Sequence, residues 1–285
     1  MPRILIAGCG YVGKATALLF HESGWEVEGW TRSTDSAEKI SSLPFLVRAV
    51  DIADRDEVLS FANKFDRIIH CASSGGGDAS EYRRVYLEGA RNLLDIFAGA
   101  PLLFTSSTSV YAQQDGSWVN ESDPAEPLHE SGQILRETEE LVLDRCGIVA
   151  RLAGIYGPGR SFILQQLLAG KAVINPERDR FVNQIHRDDI AAALFLLAQS
   201  GAAEIYNVVD DQPILLSECY EWLAGEVHLP APPNGTTTKS RKRGDSNKRV
   251  SNKKLRALGW TPKYGTFQEA MRESILPAMG ADPRF

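Results

Sequence analysis

The feature that most constrains the fold is a glycine-rich turn that starts at Gly8. It follows the apolar run Ile4-Leu5-Ile6-Ala7 directly, and a stretch with helical spacing comes after it. The spacing G-x-G-x-x-G between a strand and a helix permits a tight turn, brings main-chain amides close to a pyrophosphate and allows close helix–strand packing. The positive end of the helix then faces the phosphate charge. We therefore expect the turn to bind a dinucleotide through Gly8, Gly10, Tyr11, Val12 and Gly13.

The first half of the chain alternates short β-branched runs with amphipathic helical stretches, which is typical of a parallel sheet with crossover helices. Strands are predicted at residues 4–7, 26–31, 45–50, 67–72, 102–106, 148–151 and 205–209. Helices are predicted at residues 13–23, 79–97, 131–146, 162–168, 188–200 and 216–226. The predicted fold class is α/β, a Rossmann-type doubly wound parallel sheet.

Composition and charge argue against several classes of protein. The 285 residues are 43% hydrophobic and 24% charged, with a formal net charge of -6, which speaks against nonspecific binding to nucleic acid. No apolar run is long enough to span a bilayer. The four cysteines lie far apart without a C-x-x-C pair, which favours reduced thiols over a disulfide frame or a zinc site. We expect a cytoplasmic protein with no metal, no nucleic-acid partner and no membrane anchor.

The end of the second predicted strand bears on the choice of cofactor. Proteins that bind NAD usually place an acid there to hold the ribose 2′-hydroxyl. This chain has Thr31, Arg32 and Ser33 instead. Arg32 could pair with a 2′-phosphate, and Ser33 could donate a further hydrogen bond. The sequence thus favours NADP over NAD, although a merely solvated Arg32 is the alternative.

Residues 239–256 form a strongly basic segment. It contains nine lysines and arginines and a single acid, Asp245. A solvated, mobile loop is the simpler interpretation because like charges repel and stay hydrated. The functional alternative is an anion clamp for the phosphates of a nucleotide-linked substrate.

A series of motifs in order carries a resemblance to a known family. They lie at residues 8–13, 51–52, 106–111, 151–159, 185–191 and 206–208, with two C-terminal segments at 251–255 and 258–262. Together they resemble the extended short-chain dehydrogenases, the NAD-dependent epimerase/dehydratase family. The resemblance implies a Rossmann domain at residues 1–156, completed by about 182–209. It also implies a small C-terminal substrate lobe from about 157–181 and 210–285, with a cleft between the two.

The resemblance also implies roles for single positions. Asp51 and Ile52 would flank the adenine, and Ile155 would lie beside the nicotinamide with Tyr156. Ser107 matches the serine that holds the substrate oxygen. The ribose path after the fourth strand would be lined by Cys71, Ala72 and Ser73. We expect Asp188 and Asp189 to cap a helix and His186 to form a structural hydrogen bond.

The chain departs from the family at the catalytic tyrosine and lysine. These residues are four apart on one helix face, and the lysine helps the tyrosine to exchange a proton near neutral pH. Here Gly132 takes the tyrosine position and Arg136 the lysine position, and no tyrosine elsewhere is followed by lysine four residues later. Two further departures are Ala7, at the first glycine of the usual G-x-x-G-x-x-G, and Tyr86, where an asparagine often kinks the fourth helix.

Several residues are candidates for the missing role. Arg136 keeps its proton but could bind ribose hydroxyls or a substrate anion; the alternative is a surface ion pair with Glu140. The candidate acids are Tyr111, Tyr156, His129 and Ser131. Tyr111 and Tyr156 are favoured because both are predicted at strand ends that face the cleft. Ser107, Tyr156, Tyr111 and Arg136 therefore form the predicted catalytic set.

Two functions remain open at this point. One is an oxidoreductase or epimerase with a rearranged acid–base group, acting on a small carbonyl or nucleotide-sugar-like substrate. The other is a sensor that binds NADP(H) or a sugar nucleotide without turnover. A homodimer through the two long helices is implied by the resemblance. The charges Glu137, Glu139 and Glu140, which we expect to be exposed on the second helix, keep a monomer open as well.

Overall fold

The computed structural model describes residues 1–236 and 246–279. The strands in chain order are β1 (Arg3–Ala7), β2 (Glu26–Thr31), β3 (Leu46–Ala49), β4 (Arg67–His70), β5 (Leu102–Ser107), β6 (Trp118–Val119), β7 (Ile148–Leu152), β8 (Gly154–Tyr156), β9 (Phe181–Val182), β10 (Gln184–His186), β11 (Ile205–Val208), β12 (Ile214–Leu215) and β13 (Arg249–Val250). The α-helices are α1 (Tyr11–Glu22), α2 (Thr34–Glu38), α3 (Arg55–Ser60), α4 (Ala79–Tyr82), α5 (Gly89–Ile96), α6 (Glu130–Asp144), α7 (Phe162–Leu168), α8 (Arg187–Ser200), α9 (Leu216–Glu226), α10 (Lys253–Ala257), α11 (Phe267–Ala270) and α12 (Leu276–Met279).

Seven strands form one parallel sheet in the order β11-β7-β5-β4-β1-β2-β3. The order reverses between β1 and β4, which is the point where open α/β sheets bind their ligands. Helices cover both faces of the sheet, so β1 is apolar on both sides and Ile4 to Ala7 are fully buried. The predicted α/β Rossmann-type sheet is confirmed, and the strand ends differ from the prediction by at most two residues.

Two hydrophobic clusters lie in the described part of the chain. The larger follows the seven-stranded sheet and also takes in Val250, Leu255 and Trp260 from near the C-terminus. The smaller joins Tyr156 to residues of α7, α9 and α11. Three two-stranded pairs, β8 with β10, β9 with β12 and β6 with β13, connect the outlying segments. The predicted domain boundaries stay a prediction.

The predicted helix at residues 79–97 contains a π-helical turn. Arg83–Glu88 is π-helical and separates α4 from α5. A π turn shifts the main-chain hydrogen bonds by one residue and reorients the side chains that follow it. The Nε2 atom of His70 lies 3.2 Å from the carbonyl oxygen of Val85 inside this turn.

The start of α8 differs from the prediction in one respect. Its cap is His186, whose Nδ1 accepts a hydrogen bond from the main-chain N–H of Asp188. Asp189 instead accepts hydrogen bonds from the main-chain N–H groups of Lys263 and Tyr264. Asp188 and Asp189 therefore occupy the first turn without capping it. The structural role predicted for His186 is confirmed.

The described part of the basic segment is folded, so the mobile-loop interpretation is wrong for residues 246–256. Lys248 is buried and donates to the carbonyl oxygen of Tyr111, at 2.8 Å. Arg249 lies over the rings of Trp118 and Phe181. Lys254 and Arg256 form ion pairs with Glu204 and Asp211, and the anion clamp stays a prediction. Lys239, Arg241, Lys242, Arg243 and Asp245 lie outside the described residues.

Candidate functional site

The glycine turn after β1 has the geometry of a dinucleotide cradle. A Cβ atom on Gly8, where φ is +100°, would lie 2.1 Å from the main-chain nitrogen of Ala72. A Cβ atom on Gly13 would lie 2.2 Å from the carbonyl oxygen of Gly8. A Cβ atom on Gly10 would meet nothing within 4 Å. Two glycines are therefore needed for packing, whereas the third leaves open space where a diphosphate can approach the main chain.

The helix after the turn favours an anion at its first residues. α1 begins at Tyr11, its first turn has no acid, and Gly10 supplies no side-chain cap. The uncapped main-chain N–H groups and the helix dipole then attract negative charge. Val12 is half-buried against the main core. The turn fits the diphosphate of a pyridine dinucleotide.

Tyr11 connects this turn to the loop after β8. Its hydroxyl donates to the carbonyl oxygen of Pro158, at 3.0 Å. The guanidinium groups of Arg160 and Arg187 lie 5.3 and 5.2 Å from the centre of its ring. The Tyr11 side chain thus closes one side of the cradle.

The expected adenosine end contains a chain of ion pairs. Arg32 donates to Glu81 at 2.8 Å, and Glu81 also accepts from Arg84. Arg84 reaches Asp51 at 2.7 Å. These contacts make the pKa of Glu81 lower than usual, first through its hydrogen bond with Arg84. An acid, Glu81 at the start of the fourth crossover helix, thus lies beside the end of β2 as the ion-pair partner of Arg32.

The other residues predicted at this end lie along the carboxyl edge of the sheet. Ser33 caps α2 by accepting a hydrogen bond from Ser36, and Thr31 donates to the carbonyl oxygen of Ser33. Ile52 is buried, and its side chain packs at the Cα atom of Gly89. The Ser33 hydroxyl is thus already engaged in a helix cap.

The segment after β4 runs beside the glycine turn. The main-chain N–H of Cys71 donates to the carbonyl oxygen of Ala7, at 2.7 Å, and Ala72 contacts Gly8. Burial raises the pKa of the Cys71 and Cys9 thiols to about 12, so both stay protonated at neutral pH. Ser73 is exposed beyond them. This placement agrees with a ribose path, although the contacts themselves stay a prediction.

A pocket opens at the end of β5. It is lined by Ser107 and by seven other residues, Tyr82, Tyr86, Thr105, Ser106, Ser109, Ser131 and Leu135. Ser107 is half-buried, and its hydroxyl accepts a hydrogen bond from the main-chain N–H of Ser109. A second pocket shares Ser109 and Ser131 and extends toward Gln114, Leu128 and His129. The two pockets give space for a substrate beside Ser107.

The structure places the hydroxyl groups of Tyr111 and Tyr156 in the protein interior, although Tyr111 also lines the second pocket. Tyr111 is fully buried, and its hydroxyl donates to Asn207 at 3.0 Å while its ring lies against Arg151. Tyr156 belongs to the smaller core cluster, and its buried hydroxyl has no hydrogen-bond partner among the described residues. Burial raises the pKa of both phenols, that of Tyr156 well above its ordinary value. Neither hydroxyl reaches the pocket beside Ser107.

Arg136 is engaged in ion pairs. It donates to Glu139 at 2.5 Å and to Glu140 at 3.1 Å. Glu139 is fully buried and also accepts from Arg151 and from the hydroxyl of Ser106. The predicted surface exposure of Glu139 is therefore wrong. The network fixes Arg136 to the end of β5, which matches the ion-pair alternative for this residue.

The position that the resemblance assigns to the tyrosine is closed. A Cβ atom on Gly132 would lie 2.5 Å from the Cβ atom of Pro127. Any side chain at this position would need Pro127 to move. His129 is exposed next to it, and Ser131 lines both pockets.

Tyr82 and Tyr86 line the pocket but were not in the predicted catalytic set, although Tyr86 was noted as a departure from the family. Both line the pocket that contains Ser107. Their spacing of four residues on a helix predicts a shared face, and this signal was available in the sequence. The π turn, which the sequence does not predict, decides which way that face points.

No helix in residues 1–236 and 246–279 is both long and apolar enough to cross a membrane.

Comparison with known proteins supports the family that the sequence motifs resemble. Residues 4–208 match the model of the NAD dependent epimerase/dehydratase family. Protein YeeZ of Escherichia coli K12 is 30% identical over 220 residues, which cover 73% of this chain and 77% of YeeZ.

Superposition on solved structures shows the same fold. A structure from Methylobacillus flagellatus, named provisionally as an NAD-dependent epimerase/dehydratase, is 31% identical and superposes with a TM-score of 0.82 over 98% of this chain and 99% of its own. MoeE5, solved in complex with UDP-glucuronic acid and NAD, is 19% identical, with a TM-score of 0.79 over 99% of each chain. The second likeness concerns the fold alone.

Proposed function

Because the chain belongs to the NAD-dependent epimerase/dehydratase family, we propose that it binds a pyridine dinucleotide and transfers hydride between the nicotinamide and a substrate. The substrate class is a small carbonyl compound or a nucleotide-sugar-like molecule. MoeE5 in complex with UDP-glucuronic acid supports the second of these. The bound cofactor supplies the hydride chemistry, and the residues of the chain hold and orient both reactants.

The glycine cradle carries this proposal. Gly8 and Gly13 have no room for a side chain, whereas Gly10 faces open space. The cradle and Ser107 lie at the carboxyl edge of the same parallel sheet. Ser107 would then hold the substrate oxygen, and Ile155 would lie beside the nicotinamide.

NADP is the proposed cofactor, with NAD as the alternative. Arg32 supports NADP because its side chain is 61% exposed at the end of β2 and can turn toward a 2′-phosphate. Glu81 opposes this preference because it already neutralises Arg32. The NAD in MoeE5 keeps the alternative open.

A sensor that binds the cofactor without turnover is the second candidate function. It is favoured by the closed position at Gly132 and by the engagement of Arg136 with Glu139. General acid–base catalysis contributes roughly 10²–10⁴ in rate. A chain with no proton donor beside Ser107 would therefore react slowly at best.

A turnover assay separates the two functions. Oxidation of NADPH and NADH is followed by absorbance against a panel of carbonyl compounds and nucleotide sugars. If the chain is an enzyme, we expect turnover with at least one substrate of the panel. Tight cofactor binding without turnover across the panel supports the sensor.

Two further parts of the proposal concern the cellular compartment and the oligomeric state. The four cysteines are unpaired thiols, which supports a reducing cytoplasm. A homodimer would use the two long helices, which pack side by side with an ion pair between Arg83 and Glu137. Light scattering on the purified protein measures the oligomeric state.

A further inference from the structure

A tyrosine that stands outside the family's usual position points into the candidate active site. Tyr82 and Tyr86 both line the pocket that contains Ser107 and Ser131. The two phenols first favoured, Tyr111 and Tyr156, are buried away from it. Among the phenols, the choice of proton donor is therefore between two neighbours on one helix.

Tyr86 is the better placed of the two. Tyr82 is 7% exposed, whereas Tyr86 is half-buried at the pocket. No hydrogen bond joins the Tyr86 hydroxyl to any residue in 1–236 or 246–279. Its ring packs against Tyr82, His70 and Phe104. The ring is thus held on its faces and edges while the hydroxyl stays available.

The π turn determines this placement, and His70 stabilises the turn. Nδ1 of His70 accepts a hydrogen bond from the main-chain N–H of Ala72, at 3.3 Å. The proton of the neutral ring is then on Nε2, which donates to the carbonyl oxygen of Val85. Burial lowers the pKa of His70 to about 4, so the ring is neutral at physiological pH. His70 is a positioning residue for the turn that carries Tyr86.

We propose that Tyr86 is the proton-transferring phenol of this active site, working beside Ser107 where the usual tyrosine position is occupied by Gly132. This inference rests on the proposed function. In alcohol oxidation the bound oxidised cofactor would supply the acceptor for the hydride of the substrate C–H bond, and the substrate O–H proton would pass to the Tyr86 phenolate. The products are the carbonyl compound, NAD(P)H and neutral Tyr86, which returns the proton to water. Carbonyl reduction reverses each step.

Phenolate absorbance in the near ultraviolet tests the proposal without any substrate. The positive charge of an oxidised nicotinamide favours a nearby phenolate. When the wild-type protein is titrated with base, bound oxidised cofactor is expected to move one phenolate transition to lower pH. Tyr86→Phe is expected to abolish this shift, and Tyr82→Phe and Tyr111→Phe to retain it. The Phe variants keep the ring and its packing, and equal thermal unfolding temperatures would confirm that.

The outcomes separate this inference from the proposed function. If calorimetry detects no binding of the cofactor, the proposed function fails. If the cofactor binds but no phenolate transition moves, or the shift persists in Tyr86→Phe, only the role of Tyr86 is overturned. With a substrate in hand, Tyr86→Phe should lower kcat by about 10²–10⁴ at unchanged KM.

Discussion

Arg32 and Glu81 lie 49 residues apart in the sequence and form an ion pair of 2.8 Å. An acid usually marks the ribose site when it follows the second strand directly. Here the acid beside Arg32 comes from another crossover, so a search for acids near Arg32 in the sequence does not find it. The balance between these two side chains is expected to set the cofactor preference.

Substitutions of Arg32 and of Glu81 should shift the preference between NADPH and NADH in opposite directions. Arg32→Ala removes the partner of a 2′-phosphate and should weaken NADPH binding by about tenfold or more while NADH changes little. Glu81→Gln frees Arg32 and should strengthen NADPH binding relative to NADH. Calorimetry with both nucleotides measures the ratio.

Arg91→Ala is a matched control, because Arg91 pairs with Glu88 in a similar exposed ion pair. It should leave both affinities unchanged. Equal losses of NADPH and NADH affinity in Arg32→Ala would contradict the assignment of NADP.

Local patterns predicted the glycine turn and the position of Ser107, because both depend on residues adjacent in sequence. They did not predict where the hydroxyls of Tyr111 and Tyr156 point. Tyr111 finds Asn207, 96 residues away, and Tyr156 packs into a cluster built from later helices. Contacts of such long range decide the orientation of a side chain and leave no trace in nearby residues.

The helix that carries Tyr86 shows the same division between local and distant information. Its extent follows from the spacing of apolar residues, and the structure confirms it to within one residue. Its π turn is contacted by His70 on β4, whose Nε2 atom lies 3.2 Å from the carbonyl oxygen of Val85. We expect this contact between two elements to stabilise the turn inside one of them.

Removal of the His70 hydrogen bonds should destabilise the π turn. His70→Phe keeps a ring against Tyr86 and Phe104 but leaves the carbonyl oxygen of Val85 without its partner. The expected loss is about 1–3 kcal/mol in the free energy of unfolding, measured by urea denaturation at pH 7. His21→Phe, on the partly exposed surface of α1, is the control. It should change the free energy of unfolding by less than about 0.5 kcal/mol.

The same variant should change the dependence of stability on pH. Unfolded histidine binds a proton near pH 6.5, while the pKa of folded His70 is about 4. Between these values the unfolded chain binds more protons, so acid favours unfolding. The stability advantage of the wild type over His70→Phe should therefore shrink as the pH falls from 6.5 to 4. A constant advantage would contradict a buried neutral His70.

The C-terminal segment is part of the main core even though it follows the Rossmann strands by more than forty residues of chain. Lys248 donates a hydrogen bond to the carbonyl oxygen of Tyr111, which lies 137 residues earlier in the sequence. Val250 lies in the same hydrophobic cluster as β1. No carboxylate pairs with Lys248 among the described residues. Burial, with Arg180 nearby, lowers the pKa of Lys248 to about 8. Charge counting on the sequence predicted a solvated loop because it does not show which cations become buried.

Lys248→Met should remove one component of the pH dependence of stability. The folded lysine loses its proton near pH 8 and the unfolded one near 10.5, so the unfolded chain binds more protons in this window. Stability of the wild type relative to Lys248→Met should therefore rise between pH 8 and 10.5. Lys253→Met, on the exposed start of α10, should track the wild type in urea denaturation. A flat difference for Lys248→Met would contradict burial of this amine.

The most direct test of the whole account is calorimetry of cofactor binding to Gly10→Ala. The added Cβ meets no protein atom within 4 Å, so the thermal unfolding temperature should stay at the wild-type value. The added Cβ atom would occupy the space that we assign to the diphosphate. Binding of NADPH should therefore weaken by about tenfold or more. Gly99→Ala, another glycine with open space at its Cβ position, should bind as the wild type does. Undiminished binding to a folded Gly10→Ala would contradict the placement of the dinucleotide at this turn.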